Sequence, residues 1–368
     1  MSPPAAIART VTTSREWAVA AIAALLLILA PWGWGGVVFW VVAATCGLGV
    51  AALISAWGSR RFQLVAAAGW VGWAIVAAIR TAAARPSSDP AVATEIARAN
   101  VAVTWLADLF RQTLLDGMRA AGFTREQQHP RFRQSLDMMF GDVQRPAEYR
   151  QFPQKPMAHY YPDMTHVEFA DTKSWDWVAQ LEAAFPDMQR EALALLAQHD
   201  GFQPYMKLAN ARPQQDHHGL LENADWSTLH LWQNGAAVDE HIQRCPKIYR
   251  AVMDHVPLCH IGPRAPSVML SLLRPGAKIP PHSGMLNSRF ICHLPLVVPP
   301  DCGFRVGGST IEWQEGKVIA FDDSVEHEAW NNSAYDRLVL IFDIWRPELS
   351  QSERDQITAM FDIVDNYR

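Results

Sequence analysis

The chain has 368 residues, is 49% hydrophobic and carries a formal charge of −5. That length holds one catalytic domain with further segments around it, and the mild acidity lacks the basic footprint that nucleic acid binding needs. Five cysteines, at 46, 245, 259, 292 and 302, form no CxxC pair, which excludes a zinc ribbon or a disulfide framework and fits a reducing compartment.

Residues 1–16 are polar and carry Arg9 and Arg15. Three uncharged apolar runs follow at 17–34, 35–57 and 62–79, the last two separated by the basic loop 58–61. Each is close to the ~18–20 residues that cross a bilayer. Trp17, Trp32, Trp34, Trp57, Trp70 and Trp73 punctuate them, several at interfacial positions. A cleaved signal peptide does not fit, because apolar sequence continues well past any cleavage point. Soluble helices do not fit either, since a soluble domain has little room to bury three such runs. Residues 1–85 therefore read as a membrane anchor of two or three transmembrane helices, multi-pass in a cell inner membrane, with the lipid bilayer as partner. Arg9, Arg15, Arg60 and Arg61 place the ends of the first two runs inside. If the third run spans, the rest of the chain lies outside. If it lies in the interface, the rest is cytoplasmic, the side that Arg80 and Arg85 favour.

The stretch 84–90 is an Ala/Pro/Ser linker. Ile96, Val103, Leu106, Phe110, Leu114 and Met118 recur at helical spacing, predicting an amphipathic helix over 91–121 that Gly122 closes. Residues 123–155 are polar and read as a connector, so 86–155 is linker and helix, and a catalytic domain occupies 156–368. A second amphipathic helix is predicted over 182–198. The polar loop 214–223 holds Asp216, His217 and His218. It is either an additional metal site or, in the blander reading, a loop framing a substrate mouth. Residues 227–233 alternate as a strand, with Trp226 and Trp232 as core aromatics, and the helix after Cys245 and Pro246 is structural.

Apolar runs at 292–298, 318–321 and 338–344, broken by Pro and Gly, have strand-and-turn patterning. His282, His327 and Arg337 stand at strand ends, where a β-barrel mouth could gather them. Imidazoles suit Fe(II) with coordination positions left open, and a buried guanidinium offers a planar fork to a carboxylate. The common iron triad adds an acid two residues after the first histidine, but here that residue is Gly284. Each residue has a structural alternative. A lone histidine on an apolar strand is usually core. Arg337 could pair with Asp322 or Asp343. Asp322 or Asp323 could cap a turn. Asn287 and Ser271 have turn and strand roles, and Arg289 either meets substrate or lies on the surface.

The segment His282, Gly284, Asn287, then Arg289, His293, the run EGKVIAFDDSVEHEAW and Arg337, resembles the aspartyl/asparaginyl β-hydroxylase family. These are Fe(II)- and 2-oxoglutarate-dependent dioxygenases with a cupin-like fold, and this chain looks like a membrane-anchored bacterial-type member. The resemblance continues upstream through DWSTLHLWQNG (225–235) and SLLRPGAKIPPH (271–282), with a weaker echo from YYPDM (160–164). It implies a mainly β domain, a double-stranded β-helix or jelly roll with flanking helices, behind the transmembrane segments. It implies Fe(II) held by His282 and His327, and 2-oxoglutarate held by Ser271, His293 and Arg337. Dioxygen is the third reactant. Asp323 would act on the metal indirectly, through a water, and Arg289 would meet the substrate. Two positions depart from the family pattern: Ile291 stands where a second arginine is usual, and Met269 where a lysine is. Three functions remain open. The first is hydroxylation of an aspartyl/asparaginyl-type peptide or protein side chain, which the upstream match favours. The second is hydroxylation of a lipid A-type acyl chain, although that branch carries an acid at position 284 and an arginine at 291. The third is a non-catalytic membrane-anchored barrel. Cytosolic supply of 2-oxoglutarate and Fe(II) favours a cytoplasmic catalytic domain.

Overall fold

The computed structural model describes residues 90–198, 201–206 and 221–366. The chain divides into two units, and the sheets and the candidate site belong to the second, Leu114–Asp365. Among the described residues no helix is long and apolar enough to cross a bilayer. The three apolar runs of the expected anchor lie outside the described residues.

Helix α1 (Pro90–Ala120) ends where expected, with Gly122 at φ +89° and the Phe123 N–H closing on the Met118 carbonyl. The expected connector contains a second helix, α2 (Pro130–Phe140). Pro130 starts it and Gly141, at φ +81°, stops it, while Phe132 and Leu136 are fully buried. Its low overall apolarity hid it: only one narrow face packs. The helix predicted over 182–198 is two, α3 (Asp176–Ala183) and α4 (Phe185–Gln198), broken at Ala184 just ahead of Pro186. A proline cannot continue the hydrogen-bond ladder of a helix interior, but it is accepted in a first turn.

Next come β1 (Gln203–Pro204), β2 (Trp226–Gln233), β3 (Ala236–Ala237), α5 (Asp239–Ile242) and α6 (Pro246–His255). The remaining strands are β4 (Val268–Leu273), β5 (Lys278–His282), β6 (Arg289–Val297), β7 (Cys302–Val306), β8 (Ser309–Ile311), β9 (Ile319–Phe321), β10 (His327–Asn331) and β11 (Arg337–Trp345). Helix α7 (Gln351–Asp365) ends the unit. The pairings between these strands are antiparallel. One sheet runs β1-β2-β4-β11-β6-β9 with β3 on β2, and the other runs β5-β10-β7-β8. From β4 to β11 the chain passes back and forth between the two sheets, which is jelly-roll connectivity.

Period-two alternation sorts the large sheet into two faces. Leu270, Leu272, Phe290, Cys292, Leu294, Leu338, Leu340 and Phe342 point outward into a core closed by α3, α4 and α6. Each buried leucine or phenylalanine there is worth about 1.5–3 kcal/mol. The opposite residues point between the sheets. They include Leu273 and Phe321, which meet Ile279, Phe304, Val306 and Ala329 of the small sheet in an interior cluster. A third cluster ties α2 and α7 to Leu114, Met118, Tyr161 and Met164. The barrel thus points Ser271, Arg289, His293 and Arg337 at its own interior, because they share the inner parity of β4, β6 and β11.

Candidate active site

The two histidines meet across β5 and β10, where His282 and His327 are register partners and their ring centroids lie 4.1 Å apart. Both rings are oriented by backbone. His282 donates its Nδ1–H to the Pro280 carbonyl at 2.8 Å, and His327 donates its own to the Val325 carbonyl at 2.9 Å. A carbonyl only accepts, so both tautomers are fixed with the lone pair on Nε2, the state that ligates a metal. Burial, with His282 beside it, pushes the His327 pKa down to about 3, so the ring stays neutral. His282 sits on the exposed side of the pair. Among the described residues no cluster of three or more His, Cys, Asp or Glu could hold a metal ion. The donor set offered is therefore a pair, and it fits Fe(II) with several positions open.

Further into the barrel lies Arg337, 1% exposed, at the start of β11. Neither Asp322 nor Asp343 pairs with it, since Arg346 takes the first and Arg289 the second. Its Nε and Nη2 have no hydrogen-bond partner. Burial lowers its pKa to about 10, which leaves it charged at neutral pH. His293 on β6 is also buried with its Nδ1 unpartnered, and burial together with Arg337 pushes its pKa well below the ordinary value. Ser271 on β4 is fully buried and its Oγ accepts the Trp226 indole N–H at 3.2 Å. Leaving buried donors unmade costs stability. A pocket of unpaired cationic and neutral donors suits a carboxylate, and the distal carboxylate of 2-oxoglutarate fits it.

Gly284 has a steric reason. A Cβ there would fall 1.9 Å from Oδ2 of Asp323, so the space an acid at position 284 would use is already filled by a carboxylate from another loop. Oδ2 of Asp323 stands 3.5 Å from Nη2 of Arg289, and Oδ1 has no partner. Burial, with Asp322 and Asp343 nearby, pushes the Asp323 pKa up to about 7 against the opposing pull of Arg289. Arg289 is buried and ion-paired with Asp343, so the surface alternative for it is ruled out. Of the two aspartates, Asp322 is the turn cap, accepting from the backbone N–H and hydroxyl of Ser324. Asn287 braces the chain, exchanging hydrogen bonds with the backbone of Tyr161 at 2.7 and 2.8 Å.

Two residues that line the candidate site were not singled out as such from the sequence. Trp226, expected as plain core, touches Ser271 and stacks on Tyr205 with its ring 6.4 Å from that of His282. Trp313 lies under the Arg337 guanidinium, whose carbon is 4.7 Å from the indole centroid. Its only sequence signal was its place just before the EGKV run. The loop with Asp216, His217 and His218 lies outside the described residues.

Residues 182–347 match the family described as Aspartyl/Asparaginyl beta-hydroxylase. The aspartyl/asparaginyl beta-hydroxylase of Homo sapiens is 37% identical over 142 residues, 38% of this chain and 18% of the relative. The ornithine lipid ester-linked acyl 2-hydroxylase of Rhizobium tropici is 29% identical over 190 residues, 51% of this chain and 63% of the relative. The aspartate beta-hydroxylase domain-containing protein 2 of Homo sapiens is 30% identical over 214 residues, covering 56% of this chain and 55% of the relative. The chain thus spans from under a fifth to under two thirds of the length of these relatives. Residues 182–347 are thus similar in sequence to the aspartyl/asparaginyl β-hydroxylase family.

Proposed function

We propose that the site is the centre of an Fe(II)- and 2-oxoglutarate-dependent hydroxylase. The observation that carries this is Arg337: a buried guanidinium with two unpartnered N–H positions, while Asp322 and Asp343 are committed to other arginines. In this reading His282 and His327 hold the metal through Nε2. Arg337, His293 and Ser271 bind and orient 2-oxoglutarate. Asp323 fills the space over Gly284 and keeps one carboxylate oxygen for a water. When bound, Fe(II) with 2-oxoglutarate and dioxygen would supply oxidative decarboxylation to succinate and CO2 coupled to insertion of one oxygen atom into a substrate C–H bond. The protein contributes position, charge complement and a largely apolar interior.

The substrate read first is an aspartyl/asparaginyl-type side chain of a peptide or protein, as in the name of the human relative. Arg289 keeps its Nε without a partner, one donor for an acidic or amide group. A second reading, an acyl chain of a membrane lipid, is favoured by Met269, Ile291 and Ile341. All three have the inner parity of the large sheet, with Ile341 opposite Met269 in register. The apolar runs of 17–79 would hold the enzyme at the bilayer with this domain on the cytoplasmic side.

The test is conversion of 2-oxoglutarate to succinate with Fe(II), for wild type and His327→Ala, in detergent, with aspartyl peptides or membrane lipid extract added. Turnover by wild type and background rates in the variant are expected. Equal rates in both, or a wild type that neither binds iron nor turns over, would leave a non-catalytic barrel. Stimulation by lipid and not by peptide would replace the first substrate with the second.

A further inference from the structure

We propose that Trp313 is a cosubstrate-binding residue, its indole N–H donating to the distal carboxylate of 2-oxoglutarate while its face holds the Arg337 guanidinium flat. This rests on the hydroxylase reading above and adds a donor to it. Trp313 is 7% exposed, and its Nε1 has no hydrogen-bond partner. An indole N–H is a donor only, and a buried one normally finds an acceptor.

The unmet donor is not isolated. Arg337 stacks on the indole at 4.7 Å, and its Nε and Nη2 are unpartnered. The His293 ring centroid lies 6.1 Å from that of Trp313, and its Nδ1 is unpartnered too. Phe304, stacked on Trp313 at 5.4 Å and 5.0 Å from His293, backs the group with apolar surface. Four polar atoms on three neighbouring residues thus lack partners, in a wall that otherwise offers hydrocarbon. A carboxylate has about four lone-pair positions, enough to meet such a set with one bound group. Cation–π stacking also fixes the plane of the guanidinium, which decides where its fork points.

The test is calorimetric binding to the full chain loaded with Mn(II), comparing 2-oxoglutarate with 2-oxopentanoate, in which a methyl group replaces the distal carboxylate and no acceptor remains. Trp313→Phe keeps the aromatic face and removes the donor. It is expected to weaken 2-oxoglutarate about tenfold and 2-oxopentanoate by less than about twofold. Trp313→His, which keeps a ring N–H, is expected to recover part of that loss. A Trp313→Phe variant that binds 2-oxoglutarate as wild type does, or that weakens both ligands alike, overturns the proposal and leaves the hydroxylase reading intact. A wild type that binds no 2-oxoglutarate sinks the hydroxylase reading itself. If Trp313→Phe does not fold, the indole N–H resonance of wild type is followed, assigned by its absence from the Trp313→His spectrum. A shift on adding 2-oxoglutarate supports the contact, and an unmoved resonance overturns it.

Discussion

Strand β11 has an arginine at each end, and the two pockets they occupy are opposites. Arg337 opens the strand and Arg346 follows its last residue, and they are 1% and 0% exposed. Arg346 is satisfied. It bonds Asp322 at 2.9 Å, Glu348 at 2.7 Å and the Thr165 carbonyl at 2.5 Å, and it lies 4.3 Å over the Phe290 ring. Gln154 also donates to Asp322, so this pocket is a closed network joining 154–165 to the loop before β10. Arg337 has the aromatic plate but no acid, and two of its N–H positions point at nothing. Burial alone therefore separates nothing here. What separates the structural arginine from the one proposed to bind a ligand is whether its hydrogen bonds are already made.

That contrast can be broken most sharply at Arg346. Arg346→Met leaves Asp322 buried without its counter-charge and is expected to destabilise the fold by about 3–5 kcal/mol, read by urea unfolding. Arg337→Met removes an unpaired buried charge. It is expected to leave stability unchanged or raise it by about 1 kcal/mol. The same variant is expected to weaken 2-oxoglutarate about a hundredfold in direct binding, through the lost charge-assisted pair. Were Arg337→Met to destabilise as much as Arg346→Met while binding 2-oxoglutarate normally, the two ends of β11 would be alike and both structural.

The same contrast shows what the sequence could and could not reveal. The strands at 292–298, 318–321 and 338–344 were legible because their apolar runs are framed by turns, and the structure places β6, β9 and β11 there. The inward aim of Ser271, His293 and Arg337 follows from strand parity once register is known. Who pairs with whom was not legible. Asp322 and Asp343 were both plausible partners for Arg337, and only the folded chain assigns them to Arg346 and Arg289. Helix α2 was missed because its polar sequence buries one narrow face on α7 and on Tyr161's neighbourhood, contacts made by residues far away in sequence. Gly284 read as a missing ligand. The structure adds that Asp323 occupies its place.

Glu353 carries the satisfied class of buried charge to a carboxylate, and it gives the comparison a pH axis. It starts near the head of α7 and, on one oxygen, accepts from Arg131 at 2.8 Å and from the Tyr161 hydroxyl at 2.9 Å. The other oxygen accepts from the Ser350 N–H and hydroxyl at 2.8 and 2.7 Å. Burial alone would raise its pKa, but the bonds from Arg131, Ser350 and Tyr161 outweigh it and hold the value at about 2. A carboxylate held below its unfolded value stabilises the fold fully above that value, near pH 4.5, and loses the contribution as pH falls towards 2. Glu353→Gln is therefore expected to cost about 1–2 kcal/mol at neutral pH. The gap from wild type should narrow steadily in melts taken below about pH 4.5. A gap that stays constant down to pH 2 would mean that Glu353 works through packing, and that its charge belongs with neither arginine.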